Sequence, residues 1–197
     1  MISSRGDFER LEYLFNEATL VGAELDETAR VAAVTLELLL LPEVGPWEGE
    51  RRVQVKLLNV GRCVASLRRG AWNAFFARRI RFPPSELLEV VRSFGGGAIY
   101  GNQFFDQAWR DLRTIHWRYS FDVRLAGGSK AHSISLFQEG NVRHLDLIFW
   151  FEALELLFPD YSAASLDSLC EGNDRWWRAM RAGDPRVAAS GIVALKA

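Results

Sequence analysis

The residues of this chain that are best suited to chemistry are two histidines and one aspartate. His144 and Asp146 stand two positions apart in a run of alternating polarity, so on a strand they share one face. His116 lies in another alternating run, and two histidines with one carboxylate can hold a metal ion while leaving positions open for substrate. The sequence therefore offers His116, His144 and Asp146 as candidate metal ligands. The favoured interpretation, however, is that they are polar residues on the solvent face of a one-sided sheet.

Other catalytic patterns are missing from the sequence. There is no G-x-S-x-G turn for a serine nucleophile and no glycine-rich phosphate loop, and Cys63 and Cys170 lie on apolar faces beside no activating base. His132 alternates with Ile134 and Leu136, which is typical of a packed core histidine. We therefore predict no catalytic residue and no cofactor.

A basic stretch is the strongest candidate for a binding surface. Residues 62–85 contain six arginines and no acid, and Trp72 stands among them. Guanidinium groups near aromatic rings suit an anionic or stacking partner. The Trp176–Trp177 pair also offers one ring as a surface anchor for a partner, although packing under the sheet edge is the favoured interpretation. The predicted ligand- or partner-binding residues are Arg68, Arg69, Trp72, Arg78, Arg79, Arg81 and Trp176.

Charge elsewhere in the chain argues against nucleic acid as the partner of that stretch. Residues 7–50 carry eleven acids against two arginines, and the whole chain has a net charge of −1. Nucleic-acid-binding domains normally show a basic net charge. We expect the arginines to be paired within the molecule or solvated, with the acidic segment as the source of neutralising charge.

Composition indicates one globular domain over residues 1–197, with 1–15 and 184–197 as peripheral segments. A length of 197 residues and a hydrophobic fraction of 49% are ordinary for one core. The charged N-terminus does not resemble a secretion signal, no apolar run is long enough to cross a membrane, and two cysteines are too few for a disulfide framework. These features predict a cytoplasmic protein.

Period-two alternation predicts most of the secondary structure. The longest alternating run is 114–125, and the phase slips at Glu152–Ala153, which predicts a bulge or break there. Pro83–Pro84–Ser85 opens a predicted helix, and 165–182 is predicted to be one helix or two, restarting at Gly172–Asn173. Helices do not alternate with strands. The predicted fold is therefore α+β: a curved antiparallel sheet or sandwich of about eight strands with two or three flanking helices.

These observations favour a non-enzymatic binding or accessory module that recognises a protein or a small molecule. Residues 62–68 and 99–106 are similar to segments of uncharacterised bacterial proteins, a likeness that implies no activity, and an immunity-like role beside a bacterial partner would fit. One alternative is a small metal-assisted enzyme using the histidines, and another is an anion or nucleic-acid binder using residues 62–81. No membrane partner is expected, and a homo-oligomer is compatible with the sequence.

Overall fold

Two antiparallel sheets form the framework of the molecule. The computed structural model describes residues 1–45, 51–70, 77–95, 98–105, 119–140 and 142–190. Its strands are β1 Thr19–Asp26, β2 Val31–Glu37, β3 Arg52–Leu58, β4 Arg62–Arg69, β5 Arg78–Ile80, β6 Ile99–Phe105, β7 Phe121–Arg124, β8 His132–Glu139, β9 Arg143–Phe151 and β10 Ala153–Leu157. The α-helices are α1 Arg5–Phe15, α2 Leu87–Arg92 and α3 Leu166–Ala182, with 3-10 turns at Pro84–Glu86 and Pro185–Ser190.

The strand order confirms the predicted α+β antiparallel fold. One sheet has the order β1-β2-β3-β10, and the other has the order β5-β4-β9-β8-β6, with β7 also paired to β4. None of the described helices is long and apolar enough to span a membrane.

Two bent strand pairs join the sheets. β3 continues into β4, and β9 continues into β10, so that β3 pairs with β10 in one sheet while β4 pairs with β9 in the other. The bends fall at Asn59, which has a φ of 49°, and at Glu152. The side-chain amide of Asn59 donates to the Glu152 carboxylate at 2.6 Å. The break predicted from the phase slip at Glu152–Ala153 is confirmed.

A close backbone approach holds the bend between β3 and β4. Val60 bridges to Ser129, and a Cβ on Gly61 would lie 2.3 Å from the Ser129 carbonyl oxygen. A Cβ on Gly128 would lie 2.1 Å from the Val60 carbonyl oxygen. Only glycine lets the two backbones come this close.

The core lies between the inner faces of the two sheets. Alternate residues such as Val34, Val55, Leu147 and Phe149 are fully or almost fully buried there. Helix α1 adds Phe8, Leu11, Leu14 and Phe15 to the same core, because these residues recur at helical spacing. This differs from the expectation that residues 1–15 are peripheral, since Leu11, Leu14 and Phe15 are 0% exposed.

Residues 166–182 form one continuous helix, α3. It begins at Ser165, whose hydroxyl accepts from the Ser168 amide, and it ends at Gly183, whose φ of 70° suits a glycine stop. Asn173 does not restart the helix as a cap, because its side-chain amide donates to the Leu39 carbonyl at 2.8 Å. Together with the Leu41 amide, which donates to the Gly172 carbonyl, this contact docks α3 on residues 39–41.

The long alternating run predicted over 114–125 is described only from residue 119. Within it Phe121–Arg124 form β7, with Phe121 against the core and Asp122 on the opposite face, as the alternation predicts. Tyr119 does not follow Phe121, because it packs with Val64, Ile148 and Trp150 on the other side of the sheet.

Candidate functional site

The face of the six-stranded sheet that points away from the core carries an unusual set of polar residues. We call it the outer face. Here Arg62 lies opposite Trp150, Ser66 opposite Asp146, and Arg68 opposite His144. The exposed fractions of Arg62, Arg68 and His144 are 3%, 8% and 0%. Charged residues are rarely this buried unless they are paired.

The prediction that His144 and Asp146 lie on a solvent face is therefore wrong. The alternation predicts the correct face, since both residues point away from the Leu145 side of β9. That face is polar, but it is not exposed. His144 is fully buried, and the Asp146 side chain is only 22% exposed.

Two ion pairs neutralise most of the buried charge. Both nitrogens of one edge of Arg62 donate to the Asp122 carboxylate at 2.7 Å, and the Arg62 guanidinium lies 4.8 Å from the centre of the Trp150 ring. Arg68 donates to the carboxylate of Asp146. Such pairing offsets the cost of removing the charges from water.

The source of these carboxylates differs from the sequence-based expectation. We expected residues 7–50 to neutralise the basic stretch, but the partners of Arg62 and Arg68 come from β7 and β9. No ion pair joins the two segments within the described parts of the chain. Asp122 was not singled out beforehand, although its place on the polar side of an alternating run was a usable signal.

His144 is held as a neutral ring, and one of its nitrogens has no partner among the described residues. Its Nδ1 lies 3.3 Å from the Gly70 carbonyl oxygen, and because a carbonyl can only accept, Nδ1 carries the proton of this contact. Burial and the neighbouring Arg68 charge lower the pKa of His144. Nε2 is therefore a buried acceptor, and it has no hydrogen-bond partner among the described residues. The buried Nε of Arg68 also has none there.

The described part of the chain contains no group of three histidine, cysteine or carboxylate side chains placed to hold a metal ion. The Asp146 carboxylate already binds Arg68. His116 lies outside the described residues, so the metal site of His116, His144 and Asp146 stays a prediction.

An arginine-rich hairpin forms the edge of the same sheet. We call β4, β5 and the following residue Arg81 the arginine hairpin. Arg69 lies opposite Arg78, and Arg68 lies opposite Arg79, whose guanidinium donates to the Tyr119 carbonyl at 3.3 Å. Three of its arginines are exposed and make no ion pair or hydrogen bond with any described residue: Arg69, Arg78 and Arg81.

The two tryptophans predicted to bind a partner have different outcomes. Trp176 is only 3% exposed, because it packs with Leu41, Ala179 and Val187, so the structure contradicts its role as a surface anchor. Docking of α3 on residues 39–41 turns this ring inward. The same cluster buries Val187, inside the segment 184–197 that was expected to be peripheral. Trp72 lies outside the described residues.

An open cleft of about 610 Å³ lies between α1 and α3. Its walls are mainly acidic, with Arg10 bonded to Asp167 at 2.6 Å and Cys170 half-buried beside them. Burial raises the pKa of the Cys170 thiol, so this cysteine is not an activated nucleophile.

No protein-family model, curated protein or solved structure matches the chain. The functional argument therefore depends on the geometry of the outer face and the arginine hairpin.

Proposed function

We propose that the protein is a binding module that docks a short acidic segment of a partner protein on the arginine hairpin. The observation that carries the proposal is the exposure of Arg69, Arg78 and Arg81 without an ionic partner in the described parts of the chain. Arg62 and Arg68, by contrast, are neutralised within the fold.

The pairing of the strands supports this proposal. Arg69 and Arg78 lie directly opposite each other, and like charges in that position destabilise a sheet. A carboxylate placed between two guanidinium groups would relieve this repulsion. Because the two residues are held on paired strands, binding a peptide here loses less conformational entropy than binding it to a flexible basic tail would.

The small size of the patch favours an acidic peptide segment over nucleic acid. Nucleic-acid-binding domains usually show a basic patch or stripe and a basic net charge, whereas this patch has three exposed arginines without a partner among the described residues and the whole chain has a net charge of −1. A segment with two or three carboxylates would contact the hairpin and avoid the acidic surfaces elsewhere.

The test compares fluorescently labelled oligoglutamate and single-stranded DNA of similar length by anisotropy, at low and high salt. The triple variant Arg69→Gln, Arg78→Gln, Arg81→Gln should weaken oligoglutamate binding by about threefold to a hundredfold, since each exposed pair contributes about 0.2–1 kcal/mol. High salt should weaken wild-type binding.

The matched control removes three exposed arginines elsewhere: Arg92→Gln, Arg178→Gln and Arg181→Gln. It changes the net charge equally and should leave oligoglutamate binding nearly unchanged. If both triple variants lose the same affinity for oligoglutamate, binding depends on net charge alone, which contradicts a specific site. If the protein binds the DNA more tightly than oligoglutamate, the partner is a nucleic acid and not an acidic segment.

A further inference from the structure

Two residues that lie opposite each other on the outer face each carry a buried polar atom without a partner among the described residues. Arg68 and His144 lie directly opposite each other on paired strands, where Cβ atoms are about 4.5–5.5 Å apart. Both residues are more than nine-tenths buried, and neither Arg68 Nε nor His144 Nε2 has a hydrogen-bond partner in the described parts of the chain. A buried polar atom without a partner is costly, so two such atoms on facing residues indicate a missing polar group.

We propose that Arg68 and His144 form a buried binding site for the carboxyl group of a small ligand. The Arg68 Nε–H is a donor, and His144 Nε2 is an acceptor because Nδ1 carries the ring proton toward the Gly70 carbonyl. A carboxyl group offers the complementary pair, with one oxygen accepting from Arg68 and the acid proton shared with His144. The site thus takes up a carboxylate together with one proton.

Charge balance supports binding of a carboxylate with a proton over binding of a bare anion. The charges that face His144 are Arg68 on β4, Arg79 on β5, Glu139 on β8 and Asp146 on its own strand. Asp146 already neutralises Arg68, so an unaccompanied anion would add a buried charge. Entry of one proton with the carboxylate leaves the net charge of the site unchanged.

The exposed arginines favour a carboxylate over a neutral ligand of the same shape. Arg69, Arg78 and Arg81 create a positive field at the edge of the sheet, which raises the local concentration of anions. The burial of Arg68 and His144 also separates this site from the proposed peptide surface, because a docked segment would contact the exposed arginines at the sheet edge and not these buried atoms. The inference does not depend on the proposed function.

The experiment uses the full chain and follows the imidazole signals of His144 by NMR during titration with acetate and, separately, with acetamide, at constant ionic strength. His144→Asn identifies the signals and keeps a side-chain amide donor for the Gly70 carbonyl. Acetate should shift the His144 signals. Its apparent affinity should fall about tenfold per pH unit between about pH 6.5 and 7.5, because one proton is taken up with each acetate.

Two further variants make the result specific. Arg68→Lys keeps the positive charge but removes the Nε–H. It should weaken acetate binding and leave the result of the acetamide titration unchanged. The Arg69, Arg78 and Arg81 triple variant should still bind acetate in the buried site, which separates this test from that of the peptide surface.

The inference is overturned by either of two results. Acetamide that binds as tightly as acetate, with no pH dependence, would show a site for neutral amides. Unchanged His144 signals with both ligands would show that a water molecule alone satisfies the two atoms.

Discussion

At the scale of single residues, buried charges on the outer face are balanced one pair at a time. The Arg62 guanidinium is bound by both oxygens of Asp122 and stacks near Trp150, while Arg68 is bound by Asp146. In each pair, the attraction between the two charges offsets the cost of removing them from water. Loss of either residue of a pair should therefore destabilise the fold.

Asp122→Asn should therefore destabilise the protein. The substitution keeps the shape but removes the carboxylate charge that both edge nitrogens of Arg62 contact, and the Arg62 side chain is only 4% exposed. We expect the free energy of unfolding in denaturant to fall by about 3 kcal/mol. The control is Glu155→Gln, which removes a half-exposed pair with Lys56 at 3.8 Å and should cost about 0.5 kcal/mol or less. Equal losses in both variants would refute the special role of burial.

His144 should make stability depend on pH in the mildly acidic range. Burial and Arg68 hold its pKa below the ordinary value of 6.5, so the unfolded chain takes up a proton at higher pH than the folded chain does. The contribution is complete above about pH 6.5 and is lost as pH falls from there toward the lower folded pKa.

The measurement is chemical denaturation of wild type and His144→Asn between about pH 7.5 and 5.5. The wild-type free energy of unfolding should fall more steeply with acidification than that of the variant, and their difference isolates His144. Parallel curves for the two proteins would show that the pKa of His144 is the same in the folded and the unfolded chain.

At the scale of elements, α1 closes one side of the core and protects a sheet edge. Its buried residues pack against the core, while Glu12 accepts from the Phe104 amide at 2.6 Å and its carbonyl accepts from the Asn102 side chain. Strand β6 is at the end of its sheet, and these contacts occupy groups that could otherwise pair with another chain.

Leu11→Ala should show that α1 is an integral element. Leu11 is 0% exposed in the main core, and the substitution should lower the free energy of unfolding by about 3 kcal/mol. Tyr13→Ala, on the same helix and 46% exposed, should change it by about 0.5 kcal/mol or less. Similar small effects of both variants in a denaturation series would mean that α1 can detach without unfolding the core.

At the scale of the whole molecule, the bent strand pairs couple the two sheets. Both sheets contribute to one main hydrophobic cluster, and the bends at Asn59 and Glu152 pass directly from one sheet to the other. A substitution at the bend should therefore destabilise both sheets, and they should unfold in one cooperative transition.

Gly61→Ala tests this coupling. The added Cβ would meet backbone atoms of Gly128 and Ser129, which cannot move aside as a flexible side chain can, so we expect a loss of about 2–3 kcal/mol. Far-UV circular dichroism and tryptophan fluorescence should still report one coincident transition. Gly6→Ala, with open space around it in α1, should cause no loss. Separate transitions for the two probes would contradict a coupled fold.

Local patterns were sufficient for much of the framework. Alternating polarity predicted β1 to β4, β8 and β9 near their observed bounds, and the phase slip predicted the break between β9 and β10. Serine and glycine marked the ends of α3, whereas Pro84–Glu86 form a 3-10 turn and α2 begins only at Leu87. These features depend on neighbours within a few positions, so the sequence by itself determined them.

Burial and pairing were decided by the tertiary structure. Whether the outer face meets solvent or other side chains depends on contacts between distant segments, and this is why the alternation predicts a solvent-exposed His144 that is in fact buried. The partners of Arg62 and Arg68 lie 60 and 78 residues away along the chain. Polarity along a strand indicates which side chains share a face, but only packing determines what that face meets, because desolvation depends on surroundings that the local sequence does not contain.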